Sequence, residues 1–360
     1  MNKKVLAFYY PWFGSPKHSK QWLKWKQGGH DPDRKIKGLP DIASADHPLL
    51  GAYDSSDPAV IKEHLRMAKE AGINALLVSI WEQKMTHTHK NFEKMLSIAD
   101  KTPGVKLTFY YEDLPNSFEP EKVAKHLIGL INKYGKHKSF FRVNGKPFII
   151  LYARVLMQLG LNKWLVVRDL VKKATGAYLI VDSKYEEWVS NFDGAFRYTY
   201  LDALFNKKNM FTEYSKIKGM CDKHKKICVL TVMPGYDDSG VKEIPKEFIG
   251  ELAEGLKSNF SIKRVWTLFV KLLKRLARGD FKWILITLGI KHYAVVSREK
   301  GSVYKRCWEA AIKKNPQVVS ITSFNEWHEG TEIEPSHEYG NEYIKLTRKY
   351  SKEFKANKKI

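Results

Sequence analysis

The stretch DPAVIKEHLRMAKEAGINALLVSIW, residues 57–81, holds one complete passage from helix to strand. Asp57 offers a capping oxygen just ahead of Pro58, whose missing N–H costs nothing in a first helical turn. Ile61, Leu65 and Ala68 then recur at helical spacing, which predicts a helix over 58–71 with one buried face. Gly72 supplies the stop. Three residues later the pattern changes to the near-continuous apolar run of 75–81, the signature of a strand covered on both faces in a parallel sheet.

The same alternation extends through the chain. Strands are predicted at 5–10, 75–81, 106–111, 147–152, 178–181, 194–200, 227–233 and 318–324, and helices at 58–71, 120–134, 161–174, 210–225 and 304–314. Eight such strands joined by helices predict an α/β protein with a closed (β/α)8 barrel, a single catalytic domain over 1–360; an open doubly wound sheet is the alternative. A chain of 360 residues is long enough for one such barrel. Between the first strand and Asp57 the connection is far longer than the usual loop of about 4 to 6 residues, and it carries Trp12, Trp22 and Trp25. It leaves the C-terminal end of a strand, the end at which a barrel displays its catalytic groups.

Composition narrows the class. With 43% hydrophobic and 28% charged residues, disorder, collagen and a disulfide miniprotein are excluded. Lys and Arg number 62 against 39 Asp and Glu, and 62 − 39 = +23 suggests an anionic partner such as nucleic acid, a membrane surface or an acidic substrate, with a well-solvated Lys-rich surface as the equal alternative. No RNP, helix-turn-helix or zinc-finger pattern is present, so nucleic acid is not expected. Cys221, Cys228 and Cys307 have neither disulfide-framework nor zinc spacing, which predicts an intracellular setting. The N-terminus enters the first apolar run at Val5, leaving no room for a leader, and no apolar stretch reaches the roughly 18 to 20 residues of a membrane span. A cytoplasmic protein is expected. No GxGxxG or GxxxxGK[ST] loop follows a strand, and His87 and His89 stand two apart without a ligand pattern; neither cofactor nor metal is expected.

The densest polar group is 323–334, directly after the eighth strand. There Asn325, Glu326, Trp327, His328 and Glu329 precede Gly330, which lets the backbone turn sharply. Glycosidic cleavage needs one group to protonate the leaving oxygen and a second carboxylate to help form the cationic centre, and Glu326 with Glu329 supplies both. A solvated loop pair is the bland alternative. Tyr9, Tyr10, Trp12, Trp81, Tyr110, Tyr111, Tyr152, Tyr198, Tyr200 and Tyr236 fall near predicted strand ends, where flat rings pack on the C–H faces of sugars. Glu112 and Asp113 add carboxylates after the third strand.

Four segments carry a resemblance: FYYPWFG at 8–14, HPLLGAYDSSDP at 47–58, MPGYDD at 233–238 and ITSFNEWHEGT at 321–331. Together they resemble glycoside hydrolase family 99, the endo-α-mannosidases, from the first strand to the last. The resemblance implies a barrel that cleaves internal α-mannosidic bonds with retention and without a metal. It makes Glu326 the base for the substrate's own 2-hydroxyl and Glu329 the acid and base at the leaving oxygen and water. Substrate contacts are expected from Tyr10, Trp81, Glu112, Tyr236, Asn325, Trp327 and His328. Trp81 stands one residue further from Ser79 than the family's Ser-Trp spacing, which in a strand turns a side chain to the other face. WbsX-like proteins of glycosyltransferase clusters share an Asn-Glu-Trp-x-Glu-Gly motif, so a transferase or polysaccharide-building role is the alternative, with a non-catalytic glycan binder as a third.

The main departure is a predicted helical insertion over 242–296, before the last strand. Within 263–282, Trp266, Phe269, Val270, Leu273 and Leu276 share one helical face, bordered by Lys263, Lys271, Lys274, Arg275 and Arg278. Such a helix is expected to pack on the barrel; the same pattern is that of an interfacial helix on anionic lipid, which makes peripheral membrane or lipid-linked glycan contact the second reading and a partner protein the third.

Overall fold

The computed structural model describes residues 2–83, 85–241 and 294–356. Eight parallel strands, β1 (Lys4–Tyr9), β2 (Ala75–Ile80), β3 (Lys106–Tyr111), β4 (Lys146–Leu151), β5 (Tyr178–Asp182), β6 (Gly194–Phe196), β7 (Ile227–Val232) and β8 (Val318–Ile321), pair in chain order around a ring. Lys4 aligns with Val318 and Leu6 with Ala75, while Tyr110 opposite Ile150 joins β3 to β4. Each strand is followed by a helix: α1 (Pro58–Glu70), α2 (His87–Ala99), α3 (Pro120–Tyr134), α4 (Leu161–Thr175), α5 (Glu186–Asn191), α6 (Met210–Lys223), α7 (Ser302–Lys314) and α8 (Glu342–Ala356). The expected (β/α)8 barrel is the fold, and the closed ring removes the open-sheet alternative.

The local signals work as chemistry predicts. Asp57 caps α1 by accepting from the Ala59 amide at 2.8 Å, with Pro58 in the first turn. Period-two alternation sorts each strand: Val5, Ala7 and Tyr9 face the helices, whereas Leu6, Phe8 and Tyr10 face the lumen. Leu77, Tyr110, Phe148, Ile180, Phe196 and Val229 fill that lumen, so it is a packed core below the C-terminal rim. Gly194 is required where β6 meets β7, because a Cβ there would lie 2.5 Å from the Ile227 carbonyl oxygen. β6 is shorter than the predicted 194–200. Past Phe196 the backbone is held by side chains, with the Tyr198 amide donating to Asp182 at 3.1 Å and its carbonyl accepting from Thr322 at 2.7 Å.

The long connection after β1 folds over the C-terminal end of the barrel. Phe13 stacks on Trp25 at 4.0 Å, and the Trp25 indole donates to the Tyr53 carbonyl at 2.7 Å. Farther on, the Leu49 amide donates to the Pro335 carbonyl and the His337 amide to that of His47, tying this segment to the connection after β8. Tyr236–Asp237 pairs antiparallel with Val295–Val296, so the last residues of the predicted insertion belong to a two-stranded ribbon. The remainder, 242–293, lies outside the described residues. Cys221, Cys228 and Cys307 are buried and unbridged. Among the described residues no helix is long and apolar enough to cross a membrane.

Candidate active site

The chain leaving β8 continues its ladder for three residues and then turns. The Thr322 amide donates to Val232 and the Phe324 amide to Phe8, so neighbouring strands still hold the segment. The Glu329 amide then donates to the Glu326 carbonyl at 3.2 Å, closing a turn that sets the two glutamates three residues apart. Ser323 fixes its start by accepting from the Glu326 amide at 2.7 Å, and its hydroxyl meets that of Thr331 at 2.9 Å. Gly330 has φ 56°, and a Cβ there would come within 2.7 Å of the Asp237 carbonyl oxygen; glycine permits both the turn and the contact. The Asp237 amide donates to the Glu329 carbonyl at 2.7 Å, which brings the segment holding Tyr236 beside the glutamates.

Strand ends supply the walls. The Tyr10 hydroxyl donates to that of Tyr198 at 2.7 Å, which donates to Glu329 Oε2 at 3.0 Å. Glu326 Oε1 accepts from the His328 amide at 3.1 Å. Burial, and after it the charge of Glu329, pushes the Glu326 carboxyl well above the usual range, while the Lys24 ammonium opposes the shift. That ammonium lies 4.5 Å from the Trp12 ring centre. Burial likewise raises Glu112 to about 8, with the Ser79 hydroxyl and Arg154 acting against it. At the end of β5, burial raises Asp182 to about 7 although it accepts from the Tyr198 and Ala153 amides. Burial and then Lys24 lower His328 to about 3, so its imidazole is neutral; Nε2 lies 3.1 Å from the Lys24 carbonyl oxygen, which a neutral Nε2–H satisfies. A rim of carboxyl groups whose protonation is set by burial and mutual repulsion is equipped for acid–base work.

The description Glycosyl hydrolase family 99 belongs to a family model that matches residues 1–247 and 291–355. The chain belongs to this family. It is therefore a glycoside hydrolase. The rat (Rattus norvegicus) glycoprotein endo-alpha-1,2-mannosidase is 27% identical over 365 residues, covering 93% of this chain and 68% of the relative. The mouse (Mus musculus) protein of the same description is 25% identical over 400 residues, 98% of this chain and 75% of its own length. A structure of the GH99 endo-alpha-mannosidase from Bacteroides thetaiotaomicron in complex with bis-tris-propane superposes with a TM-score of 0.71 at 24% identity, covering 98% of each chain, a likeness of fold.

The family 99 barrel gathers Tyr10, Trp81, Glu112, Tyr236, His328, Glu326 and Glu329 at its C-terminal end, but it sets two of the residues expected to touch sugar beneath the surface. Asn325 is fully buried; its side chain accepts from the Tyr10 amide at 2.8 Å and donates to the Tyr10 carbonyl at 3.1 Å. Trp327 is fully buried as well, its indole donating toward Tyr53 and Glu334 at 3.2 and 3.1 Å. Both hold the site from below. Trp81 and Ser79 share a face, with the indole donating to the Ser79 hydroxyl at 2.9 Å and the Arg154 guanidinium 4.4 Å from the ring centre. His87 lies against the Trp12 carbonyl, and His89 between Glu82 and Tyr134. Among the described residues no group of three or more His, Cys, Asp and Glu is arranged to hold a metal ion.

Sequence reading did not single out Lys24, Asp182 or Tyr198. Lys24 lies in a long connection without periodicity. Tyr198 stood among ten strand-end aromatics, and nothing in its own segment distinguishes it from Tyr200, which packs outside the lumen.

Proposed function

We propose that this family 99 enzyme cleaves internal α-mannosidic bonds with retention, through attack by the substrate's own 2-hydroxyl. Glu326 takes the proton of that hydroxyl, and O2 closes on C1 as the C1–O bond to the leaving sugar breaks. Glu329 protonates the departing oxygen. Water then gives a proton to Glu329 and attacks C1, while O2 leaves C1 and recovers its proton from Glu326. Two inversions give net retention, and atoms and charges balance without an external reagent.

The observation carrying this reading is the turn that sets Glu326 and Glu329 together at the end of β8, beside the Tyr10–Tyr198 pair whose terminal hydroxyl donates to Glu329. The names of the rat and mouse relatives support mannose as the sugar. Tyr10, Trp81, Glu112, Tyr236 and His328 are assigned to the sugar, with Glu112 protonated near neutrality and so able to donate to a sugar oxygen. The basic segment 263–282 is assigned to an anionic membrane surface or a lipid-linked glycan. A substrate lacking the 2-hydroxyl on the cleaved mannose tests the chemistry: the mechanism requires no turnover of the 2-deoxy compound at concentrations that saturate the parent, and comparable turnover of the two would overturn it.

A further inference from the structure

The lumen places two phenols in series with one carboxylate. Both rings are fixed before any substrate arrives. Asn325 clamps the Tyr10 backbone from two sides, and the Tyr10 ring packs on Trp12 at 4.6 Å. Tyr198 is held at its amide by Asp182 and at its carbonyl by Thr322, with its ring stacked on Tyr110 and edge-on to Phe8. Two phenolic O–H groups then point the same way along the chain, Tyr10 to Tyr198 to Glu329 Oε2, at 2.7 and 3.0 Å.

We propose that Tyr198, reinforced by Tyr10, is a positioning residue for Glu329: its hydroxyl engages Oε2, assigns the transferable proton to Oε1, and stabilises the carboxylate left when that proton moves to the leaving oxygen. This rests on the reading of Glu329 as the acid. A donor to one carboxyl oxygen is compatible with either protonation state but binds the ionised state more strongly. Donation from Tyr10 polarises the Tyr198 O–H and strengthens it as a donor. Asp182, the last residue of β5 and the neighbour of Phe196 in β6, accepts from the Tyr198 amide and so acts on Tyr198 through the backbone.

Other groups facing Glu329 set the background. Glu326 and Glu112 repel its charge, Tyr236 and Tyr152 approach it, and Lys24 faces Glu326. Two coupled carboxyls titrate as a pair, so the observable is the macroscopic alkaline limb of kcat/KM, where the last proton leaves. Because Tyr198 favours the ionised form, removing its hydroxyl makes that proton harder to lose and moves the limb to higher pH.

The test uses Tyr198→Phe, Tyr10→Phe, the double variant and Glu329→Gln on two substrates, an α-mannoside with a sugar leaving group and the matching glycosyl fluoride. Tyr198→Phe is expected to raise the alkaline limb by about 1 to 2 pH units, the size of one hydrogen bond to a charged group. Its loss of kcat/KM should be about tenfold or more with the sugar leaving group and under about threefold with fluoride, whose departure needs little protonation. Tyr10→Phe should shift the limb the same way by less, and the limb of the double variant should coincide with that of Tyr198→Phe, any loss of the Tyr10 sugar contact appearing only as a pH-independent fall in kcat/KM. Tyr10→Phe alone keeps the test decisive if the Tyr198 variant does not fold, because an unmoved limb there also counts against the chain. An unmoved limb with equal losses on both substrates, while Glu329→Gln is inactive, overturns the positioning role alone. Full activity of Glu329→Gln on the sugar substrate would instead remove the acid assignment beneath it.

Discussion

Glu112 shows what a buried carboxyl at a strand end costs. Its pKa stands at about 8 in the fold against an ordinary 4.5, chiefly through burial. The folded state then binds the proton more tightly than the unfolded chain, so stability falls as pH rises from the ordinary value through 8. At full titration the loss is on the order of 5 kcal/mol. Glu112→Gln is therefore expected to match the parent near pH 4 and to exceed it by a few kcal/mol at pH 8.5 in urea unfolding, with a weaker substrate interaction; parallel stability at both pH values would contradict the assignment. Lys24 acts in the opposite sense on Glu326, because its charge lowers a carboxyl that burial has raised. Lys24→Met should move the acid limb of the pH–rate profile to higher pH, since the base must be ionised to work. The carboxylates of the pair were legible in the motif. Lys24 was not, since only the three-dimensional course of a long connection brings its ammonium to Glu326.

Among the elements, the connection from Thr322 to Ser336 is the part that must be rigid, and it is held by two buried networks. Glu334 accepts from Tyr53 at 2.9 Å and from Trp327 at 3.1 Å, and lies 3.0 Å from His64, whose other ring nitrogen meets the Tyr9 hydroxyl at 2.9 Å. Arg298 donates to the Glu332 carbonyl at 2.9 Å and pairs with Glu332 and Asp46, while Tyr339 and Tyr343 cover its guanidinium. Removing one member leaves several buried donors unpaired, so Glu334→Ala is expected to cost about 3 to 5 kcal/mol, read as a lower thermal midpoint. Gly330→Ala should lower kcat more than it raises KM, because the added carbon collides with Asp237 beside the catalytic turn. The motif revealed that a sharp turn follows the strand. It did not reveal that Asn325 and Trp327 point downward, because in an irregular turn no period assigns a side chain to a face. Strand and helix positions were readable for the opposite reason, since periods of 2 and 3.6 register burial directly; β6 and β8 both stop short of their predicted ends, β6 where side chains replace the ladder and β8 where the chain enters the catalytic turn.

At the scale of the molecule, the barrel gathers its chemistry at one end, where the proposed cleavage is carried by carboxyl groups with Lys24 beside them, so most of the excess charge of +23 lies elsewhere to be explained. Residues 263–282 carry seven Lys and Arg against one Asp, interleaved with Trp266, Phe269 and Leu273. The assigned lipid contact predicts flotation with anionic vesicles that weakens as salt rises and drops in Trp266→Ser/Phe269→Ser; equal binding to neutral vesicles, or no loss in the double variant, would contradict it. The central claim is the division of labour between Glu326 and Glu329, and product stereochemistry tests it most directly. Proton NMR of the first-formed product from an α-mannosyl oligosaccharide, with the parent and the Glu326→Gln and Glu329→Gln variants, should show the α anomer from the parent and almost no product from either variant. A β anomer appearing first, or equal turnover by all three proteins, would contradict the account.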